Sequence, residues 1–227
     1  VDQNFDRMME EMKEFCSHRS VEGDKTGLEE TRNWIDKKLS AVGIPHEFQK
    51  VENGNALISA SVSGEDGDKH PSLLFYNHYD VVEEGKHELW SNEPFRPMIR
   101  DGVLYGRGVS DNKGPLLSRI QAVEAILAVE GKLPINVKFL FEGDEETSSP
   151  SLSKFSREQS EKFKELSKAD VCLWENGRRD EEGRPWARFG VRGSVSFELS
   201  VETAKKDVHA RMGTYVPSAS WRLVWAL

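Results

Sequence analysis

The chain has 227 residues, 37% hydrophobic and 31% charged, which makes one large domain or one and a fraction at about 150 residues per domain. That balance supplies a core and excludes disorder and collagen-like folds, while a net charge of −8 without any Lys/Arg-rich run excludes an ordinary nucleic-acid binder. No apolar run approaches the roughly 18 residues of a membrane span, residues 1–15 lack a signal-peptide pattern, and two cysteines, Cys16 and Cys172, fit a reducing, cytoplasmic compartment rather than a disulfide scaffold.

Phe5, Met8, Met9, Met12 and Phe15 recur at helical spacing and predict a first helix over 4–19 with this stripe in the core. Thr26 to Glu29 reads as a capping box opening a second helix, which buries Leu28, Trp34, Ile35, Leu39 and Val42 and stops at Gly43. Asn53-Gly54 predicts a hairpin turn between strands near 46–51 and 55–62. Residues 63–70 read as a polar loop. Leu73 to Tyr76 is a continuous apolar run, the pattern of a strand buried on both faces. A short strand is expected at Val103–Tyr105, and Pro115 is expected at the first position of a helix ending at Gly131. A buried strand over Ile135–Phe141, a helix over Ser151–Leu166 and a strand over Asp170–Trp174 follow. Residues 176–188 read as a linker, and the alternation over Val195–Val201 as a half-exposed strand. Strands alternating with helices imply an α/β fold with a mostly parallel mixed sheet and flanking helices. The predicted division is 1–188 and 189–227.

Acidic residues and one histidine stand just past three consecutive strands, all read as buried: His78 and Asp80, then Glu142, Asp144, Glu145 and Glu146, then Glu175. Asp111 lies between a Gly-rich loop and the helix opened by Pro115. The carboxyl ends of strands are where open α/β sheets bind ligands. Acids gathered there repel one another unless a divalent cation joins them. In extended backbone residues i and i+2 point the same way, so Asp80 can hold one nitrogen of His78 while the other binds metal. Gly106-Arg107-Gly108 resembles a dinucleotide loop, but Asp111 stands where its third glycine belongs. No G-x-S-x-G elbow occurs, and neither cysteine has an evident histidine partner, which disfavours a nucleophilic mechanism.

Three blocks together resemble a known family. They are Asn77-His78-Tyr79-Asp80-Val81-Val82, Gly106-Arg107-Gly108-Val109-Ser110-Asp111-Asn112-Lys113-Gly114 and Glu142-Gly143-Asp144-Glu145-Glu146. They look like the signature blocks of the M20 metallopeptidases, the clan of carboxypeptidase G2, carnosinase-type dipeptidases and succinyl-diaminopimelate desuccinylase. Trp90–Phe95, Asp101-Gly102, Ala169-Asp170 with Glu175, and Asp207-Val208-His209 extend the match.

The resemblance implies a zinc-peptidase-like catalytic domain over 1–188 and the beginning of an α+β lid and dimerisation domain over 189–227. His78 would bind one metal with Asp80 behind it, Asp111 would bridge two metals, Glu175 would complete the first and Glu146 would bind the second. Glu145 would be the general base, and His209 would reach from the lid toward the substrate carbonyl. Two divalent ions are implied, zinc foremost, with manganese or cobalt as alternatives. A dipeptide, short peptide or N-acyl amino acid would be hydrolysed at its amide bond, by a homodimer that needs neither nucleic acid nor membrane. Ala210-Arg211 departs from the Ser-Gly that usually follows the lid histidine. Family chains are much longer and carry a last histidine ligand that His18, His46, His70 and His87 do not match. The expectation is therefore an N-terminal portion, inactive by itself. The rival readings are a non-catalytic binding or dimerisation module, and a calcium-stabilised α/β domain, which an imidazole ligand argues against.

Overall fold

A computed structural model describes residues 1–65, 67–190 and 192–227, with Asp68 lacking a described side chain. Asp66 of the expected polar loop lies outside the described residues, as does Val191. The chain divides into two compact units, Val1–Pro185 and Trp186–Leu227.

The first unit is a three-layer α/β/α arrangement. Its five-stranded mixed sheet runs β1 (His46–Gln49), β2 (Leu57–Val62), β6 (Asn136–Glu142), β3 (Ser72–His78), β7 (Val171–Trp174). The pairs β1–β2 and β2–β6 are antiparallel, and β6–β3 and β3–β7 are parallel. A separate ribbon joins β4 (Met98–Arg100) to β5 (Val103–Tyr105). A second ribbon, β8 (Arg178–Arg179) with β9 (Pro185–Trp186), occupies part of the expected linker.

Alternation along the strands sorts side chains between the two faces. Ile58, Ala60, Phe75, Val137, Phe139 and Phe141 face the main core, shared with helices α1 (Phe5–Ser17), α2 (Lys25–Val42) and α3 (Lys113–Glu130). Leu57, Leu74 and Leu140 face the other way and pack with Phe155 of α4 (Pro150–Glu158) and with Phe163 and Leu166 of α5 (Ser160–Ser167). Each Val, Leu, Ile or Phe side chain fully taken from water here contributes about 1.5–3 kcal/mol. Lys38 of α2 is buried and bridges Glu11 of α1 at 2.8 Å and Glu124 of α3 at 2.7 Å, so its charge is paired where it is desolvated.

Several boundaries differ from the sequence reading. Phe5 is exposed, because the first turn of α1 overhangs the core that Met8, Met12 and Phe15 enter. Asp24, not Thr26, caps α2, its carboxylate accepting from the Gly27 N–H at 3.0 Å. Helix α3 starts at Lys113 with Asn112 as its N-cap residue, two positions ahead of Pro115. The expected helix over 151–166 is two helices, broken at Gln159 where φ is −124° and ψ is 47°. Strand β7 lies at the sheet edge, so Val171, Leu173 and Trp174 are exposed rather than buried.

In the second unit, residues 192–201 carry no strand and Val195 and Phe197 are exposed. Alternation alone does not make a strand without a partner to complete its hydrogen bonds. A 3₁₀ turn, Ala210–Thr214, and helix α6 (Ala219–Ala226) complete this unit.

Candidate metal centre

The three parallel strands end at one level. His78 pairs with Glu142 across β3–β6, Tyr76 pairs with Trp174 across β3–β7, and the chain then leaves each strand toward the site. The Tyr79 N–H continues the ladder by donating to Glu142 O at 2.8 Å. Beyond it, Val81 forms a parallel bridge with Val21, and Ser20 Oγ donates to Tyr79 O at 2.6 Å. The segment after α1 thus clamps the residues on either side of Asp80.

His78 is fully buried. Its Nδ1 lies 3.0 Å from the Asp80 carbonyl oxygen and 3.3 Å from Asp80 Oδ1. Its Nε2 faces Asp111 Oδ1 at 3.1 Å and Glu145 Oε2 at 3.8 Å. Asp80 is equally buried and also accepts from the Glu146 N–H at 3.0 Å. Asp80 thereby holds the imidazole through its backbone carbonyl and the glutamate loop through its carboxylate.

That loop is bedded from below. A Cβ on Gly143 would lie 2.2 Å from the Tyr79 ring, and the Tyr79 hydroxyl donates to Ala56 O at 2.7 Å. Asn55 Nδ2 donates to Gly143 O at 3.0 Å, Ser151 Oγ donates to Asp144, and Ser149 Oγ donates to Glu142 Oε1 at 3.0 Å. Tyr76 also donates to Glu142. Burial, opposed by these two hydroxyls, pushes Glu142 up to about 7. Asn55, Tyr76, Ser149 and Ser151 carried no signal in the sequence, being ordinary strand, turn and helix-start residues.

The Asp111 loop is held by Lys113. Its fully buried ammonium donates to Phe15 O at 3.2 Å, His18 O at 2.6 Å and Thr31 Oγ1 at 3.4 Å. These carbonyls lie at the C-terminal end of α1, where a cation is favoured. Burial pulls Lys113 down to about 7.

Donor atoms of His78, Asp111 and Glu146 all lie within 4.8 Å of one another, as do those of His78, Glu145 and Glu175. Burial and then the Glu175 charge push Glu145 up to about 7. Burial also raises Glu146, against the opposing pull of His78. Burial pulls His78 down, but the Asp80 hydrogen bond and the Asp80, Glu145 and Asp111 charges outweigh it and hold the imidazole up at about 9. Glu175 Oε1 is buried with no hydrogen-bond partner among the described residues. One imidazole and four carboxylates, one of them with an orphaned oxygen, suit a divalent cation of the zinc or manganese type. His209 lies in the second unit, where its Nδ1 accepts from the Arg211 N–H at 3.2 Å.

The family model for peptidase family M20/M25/M40 matches residues 74–214, which include every residue of this cluster. The chain belongs to this family. It is 31% identical over 226 residues to the probable di- and tripeptidase DUG2 of Saccharomyces cerevisiae, covering 91% of this chain and 25% of that protein. It is 36% identical over 147 residues to the Beta-Ala-His dipeptidase of Rattus norvegicus, covering 65% of this chain and 29% of that protein. The M20 family metallo-carboxypeptidase Sso-CP2 from Sulfolobus solfataricus shares the fold at a TM-score of 0.68 and 30% identity, over 78% of this chain and 39% of that chain. The M20 chain thus spans well under half the length of each of these relatives.

Proposed function

We propose that the protein carrying this chain is a metal-dependent peptidase that hydrolyses the amide bond of a dipeptide, short peptide or N-acyl amino acid. The observation that carries the reading is the convergence of Asp111, Glu145, Glu146 and Glu175 on the buried His78 imidazole. Membership of the M20 family and the peptidase names of its relatives support it. His78, Asp111, Glu146 and Glu175 would hold two divalent ions, zinc foremost, with Asp111 between them. When bound, such ions supply the positive charge that activates water and polarises the scissile carbonyl.

The chain's own residues do the rest. Asp80 fixes the His78 ring through Nδ1, leaving Nε2 toward the site, and steadies Glu146 through its N–H. Glu145 accepts the proton of the attacking water as its oxygen bonds to the carbonyl carbon. It then delivers that proton to the amine nitrogen as the C–N bond breaks. His209, on a lid formed from 189–227, would meet the substrate carbonyl in a cytoplasmic homodimer paired through that lid.

Stripping metal with a chelator and assaying a panel of dipeptides and N-acyl amino acids tests the reading. Hydrolysis should vanish on stripping and return with zinc or manganese. Turnover that survives complete metal removal would contradict it.

A further inference from the structure

Three residues of the site have an asparagine as their chain neighbour: Asn77 precedes His78, Asn112 follows Asp111 and Asn176 follows Glu175. Their amides are joined. Asn77 Nδ2 donates to Asn112 Oδ1, which also accepts from the His78 N–H at 3.4 Å. Asn112 Nδ2 in turn donates to Asn176 Oδ1 at 2.6 Å. An amide has an accepting oxygen and a donating nitrogen, so three in series form a directed chain.

The chain begins at Arg119, on α3. Its Nη1 donates to Asn77 Oδ1, to Tyr76 O at 2.8 Å and to Leu173 O at 3.3 Å. Its Nη2 donates to Trp174 O at 3.3 Å and to Glu175 O. One guanidinium therefore ties the end of β3 to the end of β7, and no carboxylate pairs with it among these contacts. Burial pulls it down to about 10, which leaves it protonated at neutral pH.

Asn77 and Asn112 are fully buried. A buried amide left unpaired costs about 1–3 kcal/mol, so apolar side chains of similar shape would serve packing as well. What the amides add is register between three loops that belong to different elements. Glu175 needs that help most: its φ of 25° is rare for a residue with a side chain, and such a backbone persists where its surroundings over-determine it.

We propose that Arg119, Asn77, Asn112 and Asn176 act as one positioning relay that holds the His78, Asp111 and Glu175 loops in the register in which they can serve as metal ligands. None of the four touches the ion. The proposal rests on the metallopeptidase reading and adds to it the residues that register three of its ligands.

Titrating the metal-free protein with zinc against a chromophoric chelator tests it, with the Tm of each metal-free variant measured in parallel. Arg119→Met and Asn112→Leu should each weaken zinc about 10–100-fold, the range for residues that orient metal ligands. Arg119→Lys should recover part of the loss. The Arg119→Met/Asn112→Leu double variant should be no weaker than the worse single one, because a broken relay cannot be broken again. Asn176 is exposed, so Asn176→Ala should fold and weaken zinc at least threefold; it replaces Asn112→Leu in the cycle if that variant does not fold. Zinc affinities within twofold of the wild type, or losses that add fully in the double variant, would overturn the relay, as would a fall in Tm alone. Failure of the wild type to bind zinc would instead overturn the metallopeptidase reading, and the relay with it.

Discussion

Glu145 and Glu146 are adjacent, yet they face different neighbours. Glu146 has its N–H tied to Asp80 and its carboxylate in reach of His78 and Asp111, whereas Glu145 Oε2 lies 3.8 Å from His78 Nε2, in reach of Glu175. Glu145→Gln should therefore keep bound metal and lose roughly 10²–10⁴-fold in kcat, the usual contribution of a general base. A variant that loses metal but keeps its rate would exchange the two roles. The pH dependence follows from the raised groups. Glu145 moves from 4.5 up to about 7 and His78 from 6.5 up to about 9, so both hold protons in the native state that the unfolded chain releases. The stability they contribute is complete below about pH 4.5 and 6.5 respectively, and is lost as pH rises through 7 and 9. The Tm of the metal-free protein should fall over that window, while zinc affinity should rise because binding displaces these protons. Zinc affinity independent of pH between 6 and 9 would contradict this. His78 with Asp80 and the glutamate pair stood out in the sequence, since i, i+2 spacing and acids after strands are local patterns, whereas Asp111 stood out only through the family resemblance. The bed of Tyr76, Asn55, Ser149 and Ser151 was not, because its members meet only once the strands and α4 are packed.

At the scale of elements, the site depends on how closely loops approach the strand ends. Gly143 follows β6 directly, and any side chain there would enter the ring of Tyr79, whose hydroxyl is already fixed on Ala56 O. Gly143→Ala should cost about 1–3 kcal/mol, as overpacking does. At about 2–4 °C per kcal/mol for a chain of this size, Tm should fall by several degrees, and turnover should fall with it as Glu145 shifts. An unchanged Tm would mean that the loop relaxes freely. The first helices of the first unit were readable from apolar residues at helical spacing, and its inner strands from short continuous apolar runs. The cap at Asp24, the start of α3 and the break at Gln159 were not, since ends are set by single hydrogen bonds and dihedrals. Edge position cannot be read from composition: Val171–Trp174 is as apolar as an inner strand, and only the sheet order shows that it is flanked on one side alone.

For the whole molecule, the cluster joins residues from four separate stretches of chain: the ends of β3, β6 and β7 and the loop before α3. Their acids repel unless a cation is shared, so ligand binding and the integrity of this sheet end are one property. The α/β class was legible because strands alternate with helices, and the M20 likeness because three long motif blocks stand in order along the chain. The isolated alternation at Val195–Val201 misled because strand pairing is a property of the assembled sheet. The most direct test is to count zinc bound per chain by elemental analysis, after metal loading and dialysis, in the wild type and in His78→Ala. The account predicts zinc retained by the wild type and lost by His78→Ala, with both proteins folded. A wild type that retains no zinc, or a His78→Ala protein that retains as much as the wild type, would contradict it.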